Sequence, residues 1–430
     1  MGTEPVRQSR AAKVLEAGAI GTAFLMPLVF WPAAEFPFST AKHWLLSAWI
    51  VSGFAAAGAL RFDKRRRLPA RLALALALWV IALALSAALG PEVSLRALLE
   101  RLLPCVNLLL LFWIAPKLRR MVMAIIWSGT AVSLVAILQF LQLDPFRLFG
   151  MTSSIQGSSR IQVFSTLGNP NFVAAFLISV LPLTLVCAGT KGLFDRAGVR
   201  LLTCAMLLQA GAIIATGSRA PILAIIASGA WLILRRSRSW LRFLAAGLLV
   251  AAVLLAFSPA RPLEKTLAGR IYVWKVIARH IGAVPFAGFG PGAFPLRYAE
   301  WETEYLRISS ENTDRSFAGF QDHAHNDYLE ILVDHGIFGL AAFILTLFLS
   351  IPVLQWSRIR GSRLEDGIIA GIIALLAVAF VDFPLHRPTE LYLLWTFIAL
   401  LWSMDGDGSL LMQPCHEQSL KDFSKEGRSL

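Results

Sequence analysis

Residues 320–355 read FQDHAHNDYLEILVDHGIFGLAAFILTLFLSIPVLQ, a polar stretch that runs directly into about twenty mostly apolar residues. Three of the seven histidines in the chain, His323, His325 and His335, lie in this polar stretch. An apolar run of about twenty residues is long enough to cross ~30 Å of hydrocarbon as a helix. Titratable residues at the end of such a helix predict a functional site at the membrane surface.

The rest of the chain has the same apolar character. Of its 430 residues, 57% are hydrophobic and 16% are charged, which excludes a soluble domain. The repeated apolar runs predict an all-α fold, because a helix satisfies its own backbone hydrogen bonds in lipid. We expect a polytopic membrane protein with about twelve spans, at 14–31, 43–60, 69–89, 97–115, 121–143, 171–189, 199–216, 220–234, 240–257, 336–355, 364–383 and 389–404.

Basic residues predict the orientation of these spans. They concentrate in every second connection, which predicts that these connections and both chain ends are cytoplasmic: 7–13, 61–67, 117–120, 191–200, 235–242 and 358–363. The formal net charge of +13 therefore does not indicate nucleic-acid binding, since it reflects anchors between spans. The other connections, the histidine cluster among them, are predicted to face outward: 32–42, 90–96, 144–170, 217–219, 258–335 and 384–388.

The predicted spans divide the chain into four parts. Spans one to nine occupy 1–257, an outward cap occupies 258–335, the last three spans occupy 336–404, and a cytoplasmic tail occupies 405–430. The cap is too long for a passive connector. Within it, an apolar stripe at helical spacing predicts an amphipathic helix on the membrane surface, formed by Leu267, Ile271, Trp274, Ala278 and Ile281.

Arg219 lies in the tight turn Thr216-Gly217-Ser218-Arg219-Ala220-Pro221 between two predicted spans. Ser218 is a candidate cap for the next helix, and Pro221 suits its first turn. A helix N-terminus beside a guanidinium makes a good phosphate site. An arginine that extends towards lipid headgroups explains the same pattern, and both interpretations remain open.

Two other segments carry weaker signals for anion binding. Asn169-Pro170-Asn171 has the form of a capped helix start, which is the favoured interpretation, and Arg160 lies upstream within reach of the same pocket. Arg270 lies on the flank of the amphipathic helix. A basic surface helix attracted to anionic lipid explains it, and so does a contact to the phosphate of a lipid-linked donor.

The histidine cluster allows three interpretations. In an extended segment, His323, His325 and Asp327 would share a face and could bind a metal ion. The helical pattern from Asn326 onward separates them, so we predict no metal site. His325 could instead accept a proton from a hydroxyl as a general base, or it could be a buried structural histidine. Asp382, in the last outward turn with His386 and Arg387, is expected to line the same cavity, although anchoring of a helix end explains it nearly as well.

Together these motifs resemble the O-antigen ligase and polymerase superfamily. The resemblance covers roughly residues 150–400 and rests on the order, spacing and shared outward placement of short motifs. They are Gly168-Asn169-Pro170-Asn171, Gly217-Ser218-Arg219, Arg270-Ile271-Tyr272-Val273-Trp274, Gly288-Phe289-Gly290-Pro291-Gly292, His325-Asn326-Asp327-Tyr328-Leu329 and Gly336-Ile337-Phe338-Gly339-Leu340.

The resemblance implies a helical fold of the type called GT-C, with a glycan on undecaprenyl pyrophosphate as donor and with no metal or other cofactor. It implies that Arg219 and Arg270 contact the pyrophosphate and that His325 is the activating base. Arg160 is a further candidate donor contact. Other residues of these motifs are candidates to line the site: Asn169, Asn171, Asn326, Tyr328 and Asp382.

These observations lead to the hypothesis of an inverting glycan transfer at the outer face of a bacterial cytoplasmic (inner) membrane. A ligase that uses lipid A–core as acceptor is favoured over a polymerase or a protein O-oligosaccharyltransferase of the same superfamily. A transporter of the lipid-linked glycan is an alternative of a different class, as is a non-catalytic membrane scaffold. A transporter predicts ionisable residues deep within several spans, whereas most of those here lie at span ends.

Overall fold

The computed structural model describes residues 4–59, 67–151, 162–190, 192–235, 263–308, 315–351 and 362–404. Within these ranges the chain forms helices and turns and has no strand, so the prediction of an all-α fold is confirmed. Thirteen α-helices are described there: α1 (Glu4–Leu25), α2 (Thr40–Ala59), α3 (Ala70–Leu89), α4 (Leu95–Ile114), α5 (Leu118–Phe140), α6 (Pro170–Gly189), α7 (Arg196–Thr216), α8 (Pro221–Leu234), α9 (Leu263–His280), α10 (Phe294–Ile308), α11 (Asp327–Ser350), α12 (Arg363–Val378) and α13 (Pro388–Met404).

Six of these helices, α3, α4, α5, α6, α7 and α11, are long and apolar enough to cross a membrane. Helices occupy eleven of the twelve predicted spans, and the twelfth, 240–257, lies outside the described residues. The chain therefore has several helices suited to a bilayer, and the total of twelve spans stays a prediction.

Helix starts depend on the residues just before them. Asn169 caps α6 as predicted, accepting a 2.9 Å hydrogen bond from the Asn171 N–H, with Pro170 in the first position. The prediction that Ser218 caps α8 is wrong. The capping position is Ala220, immediately before Pro221, so Ser218 lies too far from the first turn. Its hydroxyl is buried and has no hydrogen-bond partner among the described residues.

Helix α11 begins nine residues before the predicted span and bends at Gly336. The Gly336 backbone has φ 68° and ψ −176°, a conformation that glycine adopts without steric cost. The Phe286 carbonyl packs against this glycine so closely that no side chain would fit there. The residues from Asp327 to His335 therefore form a separate segment between the cap and the apolar part of the helix.

The glycine-rich loop at 286–292 attaches the cap to this segment through its backbone. The Phe289 N–H donates to the Val333 carbonyl at 3.0 Å, and the Gly290 N–H donates to the Asp334 carbonyl at 2.9 Å. The Glu92 N–H, in the connection between α3 and α4, donates to the Phe289 carbonyl at 3.0 Å. The loop thus joins the cap to two separate parts of the helical bundle.

The described residues of the predicted cap share a small core of their own, and their outward placement stays a prediction. Tyr272, Val276 and Ile277 of α9 are buried against Phe294 and Tyr298 of α10. The predicted apolar stripe lies on another face, where four of its five members are exposed: Leu267, Ile271, Ala278 and Ile281. Helix α9 is therefore apolar on two faces, and contact of the exposed one with lipid stays a prediction.

Helix packing assembles the site from distant parts of the sequence. Helix α11 packs on α3, α12 packs on α6 and α8, and α13 packs on α4. A hydrogen bond of 2.9 Å from the Asp327 N–H to the Ala379 carbonyl joins the start of α11 to the end of α12. The segment before α11 and the turn between α12 and α13 consequently meet beneath the cap.

Candidate active site

His325 is held in an unusual backbone conformation between two fixed neighbours. Buried Ala324 accepts a 3.0 Å hydrogen bond from the Trp274 side chain and donates one of 2.9 Å to Glu330 Oε2. On the other side, the Asn326 side chain caps α11, accepting from the Tyr328 N–H at 3.0 Å. His325 itself has φ 50°, in the left-handed region that residues other than glycine seldom adopt. Such strain persists only where its surroundings impose it.

The His325 imidazole faces a buried carboxylate. Its Nδ1 lies 3.8 Å from Oδ1 of Asp382, which is 1% exposed, whereas the histidine side chain is 31% exposed. Neither atom has a hydrogen-bond partner among the described residues. The imidazole ring also contacts the Phe383 ring edge-on, with centroids 5.3 Å apart. A half-exposed imidazole supported by a buried acidic group has the arrangement of a general base and the residue that orients it.

Arg387 pairs with two buried carboxylates, those of Asp382 and Glu390. Its guanidinium contacts Asp382 Oδ2 and lies 3.1 Å from Glu390 Oε1. The same guanidinium lies over the Phe172 and Phe383 rings, 3.7 and 4.6 Å from their centroids. Burial acts to raise the pKa of Asp382, but Arg387, His325 and Arg270 outweigh it and hold that pKa well below its ordinary value. Asp382 is therefore an anion.

The cap contributes Arg270 to the same place. Burial lowers the pKa of this half-buried arginine, and the positive charge of Arg387 adds to the effect, while Asp382 opposes it. The guanidinium of Arg270 thus lies within electrostatic range of both Asp382 and Arg387. Arg219 lies in the turn between α7 and α8, partly exposed, and Arg160 lies outside the described residues.

A second polar cluster lies beside Asp382 and Arg387 and includes the next residue along the turn, His386. His386 Nδ1 contacts Asp327 Oδ1, and its Nε2 lies 2.9 Å from Glu330 Oε1. Arg101 of α4 contacts the same ring and donates to the Leu385 carbonyl at 2.7 Å. Burial and Arg101 act to lower the pKa of His386, but Glu330 and Asp327 outweigh them and raise it to about 9.

Three side chains of this cluster have the spacing of metal ligands. Nitrogen or oxygen atoms of His323, Glu330 and His386 all lie within 4.8 Å of one another. The set expected for a chelate, His323, His325 and Asp327, does not assemble, because His325 faces Asp382 while Asp327 contacts His386. The guanidinium of Arg101 beside His386 opposes a cation at the observed cluster.

The other predicted lining residues have structural contacts. Asn169 and Asn326 are helix caps, and Asn171 is partly exposed at the start of α6. The Tyr328 hydroxyl donates to the Leu376 carbonyl at 2.9 Å, which fixes α11 to α12. The start of α6 nevertheless borders the site, because the Phe172 ring contacts the Phe383 ring at 5.6 Å.

Sequence reasoning missed Arg101, Glu330 and Glu390. All three are buried: Arg101 is 6% exposed, Glu330 2% and Glu390 1%. Arg101 and Glu390 stand near the ends of apolar runs, where a charged residue signals a functional or structural partner. That signal was present in the sequence, whereas Glu330 is recognisable only once its histidine contacts are known.

Comparison with known proteins gives one family. Residues 204–344 match the family model described as O-antigen ligase. The matched region contains Arg219, Arg270 and His325, whereas Asn169 and Asp382 lie outside it. No curated protein matches this chain. The match confirms the resemblance that the short motifs indicate.

Proposed function

We propose, from the match of residues 204–344 to the O-antigen ligase family model, that the protein transfers a glycan from undecaprenyl pyrophosphate to an acceptor sugar hydroxyl. Several apolar helices and the family place it among multi-pass membrane proteins that process glycans. We further propose that it has the GT-C type of fold in a bacterial inner membrane, with both termini cytoplasmic and the site on the periplasmic face.

His325 is the proposed base. Its Nδ1 faces the anionic Asp382, so an N–H at that position stabilises the imidazolium and leaves Nε2 free for the acceptor hydroxyl. The separation of 3.8 Å is longer than a hydrogen bond, and catalytic contacts of this kind shorten when substrate binds. A general base typically supplies ~10²–10⁴-fold of the rate.

The arginines are the proposed donor contacts. Arg270 and Arg219, with Arg160, hold the pyrophosphate, because a guanidinium offers two parallel N–H groups to phosphate oxygens. The acceptor oxygen attacks the anomeric carbon as its proton passes to His325, and the bond from that carbon to the pyrophosphate oxygen breaks. Undecaprenyl pyrophosphate leaves as an anion, and the configuration at the anomeric carbon inverts. No metal or other cofactor takes part.

One observation carries this proposal: a half-exposed histidine faces a buried carboxylate, and a cap arginine lies in range of that same carboxylate. A base and a cation that could hold the leaving group therefore come together from α9, from the segment before α11 and from the turn after α12. A non-catalytic scaffold gives no reason for this arrangement.

The acceptor class remains the finer part of the proposal. We favour lipid A–core, and so a ligase, because the single turn arginine and the His-Asn-x-Tyr-Leu motif resemble ligases more than polymerases. A deletion strain separates these two functions. Long chains that accumulate on undecaprenyl pyrophosphate without attachment indicate a ligase, and single repeats attached to core indicate a polymerase.

Reconstitution of the full chain with a defined lipid-linked donor and candidate acceptors tests the reaction. We expect product without net translocation of the donor, which a transporter would not give. His325→Ala should abolish product while the protein remains in the membrane at its normal level, and His280→Ala, a cap histidine outside the site, should keep it. Arg219→Lys should also form product poorly, because the point charge of lysine replaces the planar guanidinium and its parallel N–H groups.

Chelation tests the metal-independent part of the proposal. Full activity is expected after exhaustive treatment with a chelator. Loss of activity that added metal restores would contradict this part and would direct attention to His323, Glu330 and His386.

A further inference from the structure

A cavity of about 110 Å³ lies beside the candidate active site and has His323, His386 and Arg387 in its lining. Its volume is several times the roughly 10–15 Å³ that one water molecule requires. His323 lines it and stacks on Phe383 at 4.0 Å between ring centroids, and His325 contacts that ring at 5.3 Å. A lining residue of the cavity and the proposed base therefore contact the same aromatic ring.

The charged groups at the cavity have unequal freedom to bind a ligand. Those of the floor, Glu330, Arg101 and His386, are buried and already bonded to one another or to backbone. At the rim, Asp322 is exposed and has no hydrogen bond or ion pair among the described residues. Glu100 also lines the cavity, but it is already bonded to Arg96 at 2.8 Å and lies 3.2 Å from His43. Asp322 is therefore the acidic group of the lining that is most available to a ligand, and it is a hydrogen-bond acceptor.

One ring nitrogen of His335, a lining residue of the cavity, receives no hydrogen bond from the described residues. His335 is 1% exposed, and its Nδ1 lies 3.0 Å from the Ser86 hydroxyl oxygen. The single proton of that hydroxyl is donated to the Asp334 carbonyl at 2.8 Å, so the hydroxyl must accept from the N–H at Nδ1. His335 Nε2 is then a bare acceptor, and it has no hydrogen-bond partner among the described residues. Leaving such an atom unpaired is unfavourable.

This pattern discriminates between possible ligands. A phosphate group offers only acceptors, which cannot satisfy the bare Nε2 of His335, and the cations of the lining, Arg101, His386 and Arg387, already have partners within the protein. A sugar ring offers several hydroxyl donors, together with C–H faces that suit the apolar walls formed by Pro291, Pro295 and Leu391. Carboxylates accept strong hydrogen bonds from such hydroxyls.

We propose that this cavity is the acceptor subsite and holds a sugar ring whose hydroxyls donate to His335 Nε2 and to the carboxylate of Asp322. The assignment to the acceptor rests on the proposed glycan transfer, in which the donor pyrophosphate lies at the arginines and the acceptor hydroxyl reaches His325. The cavity then fixes which acceptor sugar is used, while Arg219 and Arg270 fix the donor.

The test measures binding and turnover separately. The full chain carrying His325→Ala, in lipid nanodiscs, is titrated with lipid A–core that lacks O-antigen. Asp322→Asn and His335→Phe should each weaken this binding about tenfold, the usual effect of losing one hydrogen bond to a charged or buried acceptor. Glu304→Gln, a matched change of a cap carboxylate that is 63% exposed, should leave the binding within about twofold.

The same three changes are then made with His325 intact. We expect Asp322→Asn to raise the acceptor KM about tenfold and to leave the donor KM unchanged. Unchanged acceptor binding in both cavity variants, or an equal rise in the donor KM, would overturn the acceptor subsite. A stoichiometric divalent ion bound by His323, Glu330 and His386 would overturn it as well, because the ion would occupy the cavity.

Failure of the proposed function gives a different result. If the unaltered protein binds lipid A–core but forms no product, the proposal of glycan transfer to this acceptor is contradicted. A loss of binding confined to Asp322→Asn and His335→Phe would then still identify the cavity as a sugar site. If the unaltered protein does not bind lipid A–core at all, the proposal of an acceptor subsite is contradicted. This holds whether or not transfer to another acceptor is observed.

Discussion

His325 Nδ1 and Asp382 Oδ1 face each other across 3.8 Å, although 57 positions separate the two residues in the sequence. The facing carboxylate oxygen has no nearer polar partner among the described residues, while the other oxygen of Asp382 contacts Arg387. The carboxylate is thus anchored on one side and open to the imidazole on the other. From this relationship we predict that Asp382 positions the proposed base.

Asp382→Asn should slow glycan transfer about 100-fold, mainly through kcat. The amide keeps the size of the side chain but removes the charge that stabilises an imidazolium, and general-base catalysis is worth ~10²–10⁴-fold. The measurement is the rate of transfer by purified protein at saturating donor and acceptor.

Glu390→Gln is the matched control for this change. Glu390 is the other carboxylate of Arg387, at 3.1 Å, and it is also buried. Both variants therefore take one charge from Arg387, but only Asp382→Asn acts on His325. Equal losses of kcat in the two variants would show that the effect comes from Arg387 and would remove Asp382 from the proposed mechanism.

Arg387→Ala should destabilise the fold by about 3–5 kcal/mol, the usual cost of breaking a buried ion pair by removing one partner. The change leaves Asp382 and Glu390 buried without their cation and removes the contacts with Phe172 and Phe383. Thermal unfolding in detergent measures the loss. Arg363→Ala should change the melting temperature little, because this exposed arginine bonds only the Gly189 carbonyl within the described part of the chain. A comparable drop there would contradict the argument.

The sequence is informative wherever a local pattern determines the structure. Apolar runs predict the helices, Asn169-Pro170 predicts the start of α6, which the structure confirms, and the helical pattern from Asn326 onward agrees with α11. The expectation that Asp382 lies near His325 came from orientation alone, since both were assigned to the same side of the membrane. The contact between them is now observed, and the catalytic role of each stays a prediction.

Features that depend on packing were not predictable. The first turn of α11 buries Asp327 and Glu330 because His386, on another turn, pairs with both, and apolar periodicity does not register such partners. Ser218 looks like a cap from its neighbours, yet the turn places Ala220 at that position. The cavity is formed by residues from five separate segments, so its existence follows only from how the helices pack.

Protein stability should fall as the pH rises from about 6.5 to about 9. His386 has a pKa of about 9 in the folded protein, above the ordinary 6.5, so its contribution is fully present below pH 6.5. That contribution is lost as the pH rises through 9, because the neutral ring no longer pairs with both Asp327 and Glu330. Melting temperatures from pH 6 to 9.5 measure this, and His386→Gln should flatten the dependence. An equally steep decline in the variant would assign it to another group.

Gly336→Ala should destabilise the junction between the cap and α11 by more than about 1 kcal/mol. The backbone there has φ 68°, which an alanine adopts only with strain, and the added Cβ would overlap the Phe286 carbonyl and the Gly288 nitrogen. Both obstacles are backbone atoms that other hydrogen bonds hold in place, so they cannot move aside cheaply. We expect a lower melting temperature and faster proteolysis of the cap.

Gly229→Ala in α8 is the control for this change. A Cβ at Gly229 would meet nothing within 4 Å, and the residue lies inside a helix, where alanine is favoured by roughly 1 kcal/mol over glycine. The same substitution should therefore be neutral or stabilising at position 229 and destabilising at 336. If both variants have the same melting temperature as the unaltered protein, the loop at 286–292 does not pack on α11 as described. The predicted cap would then lack one of the contacts that bring its Arg270 near Asp382.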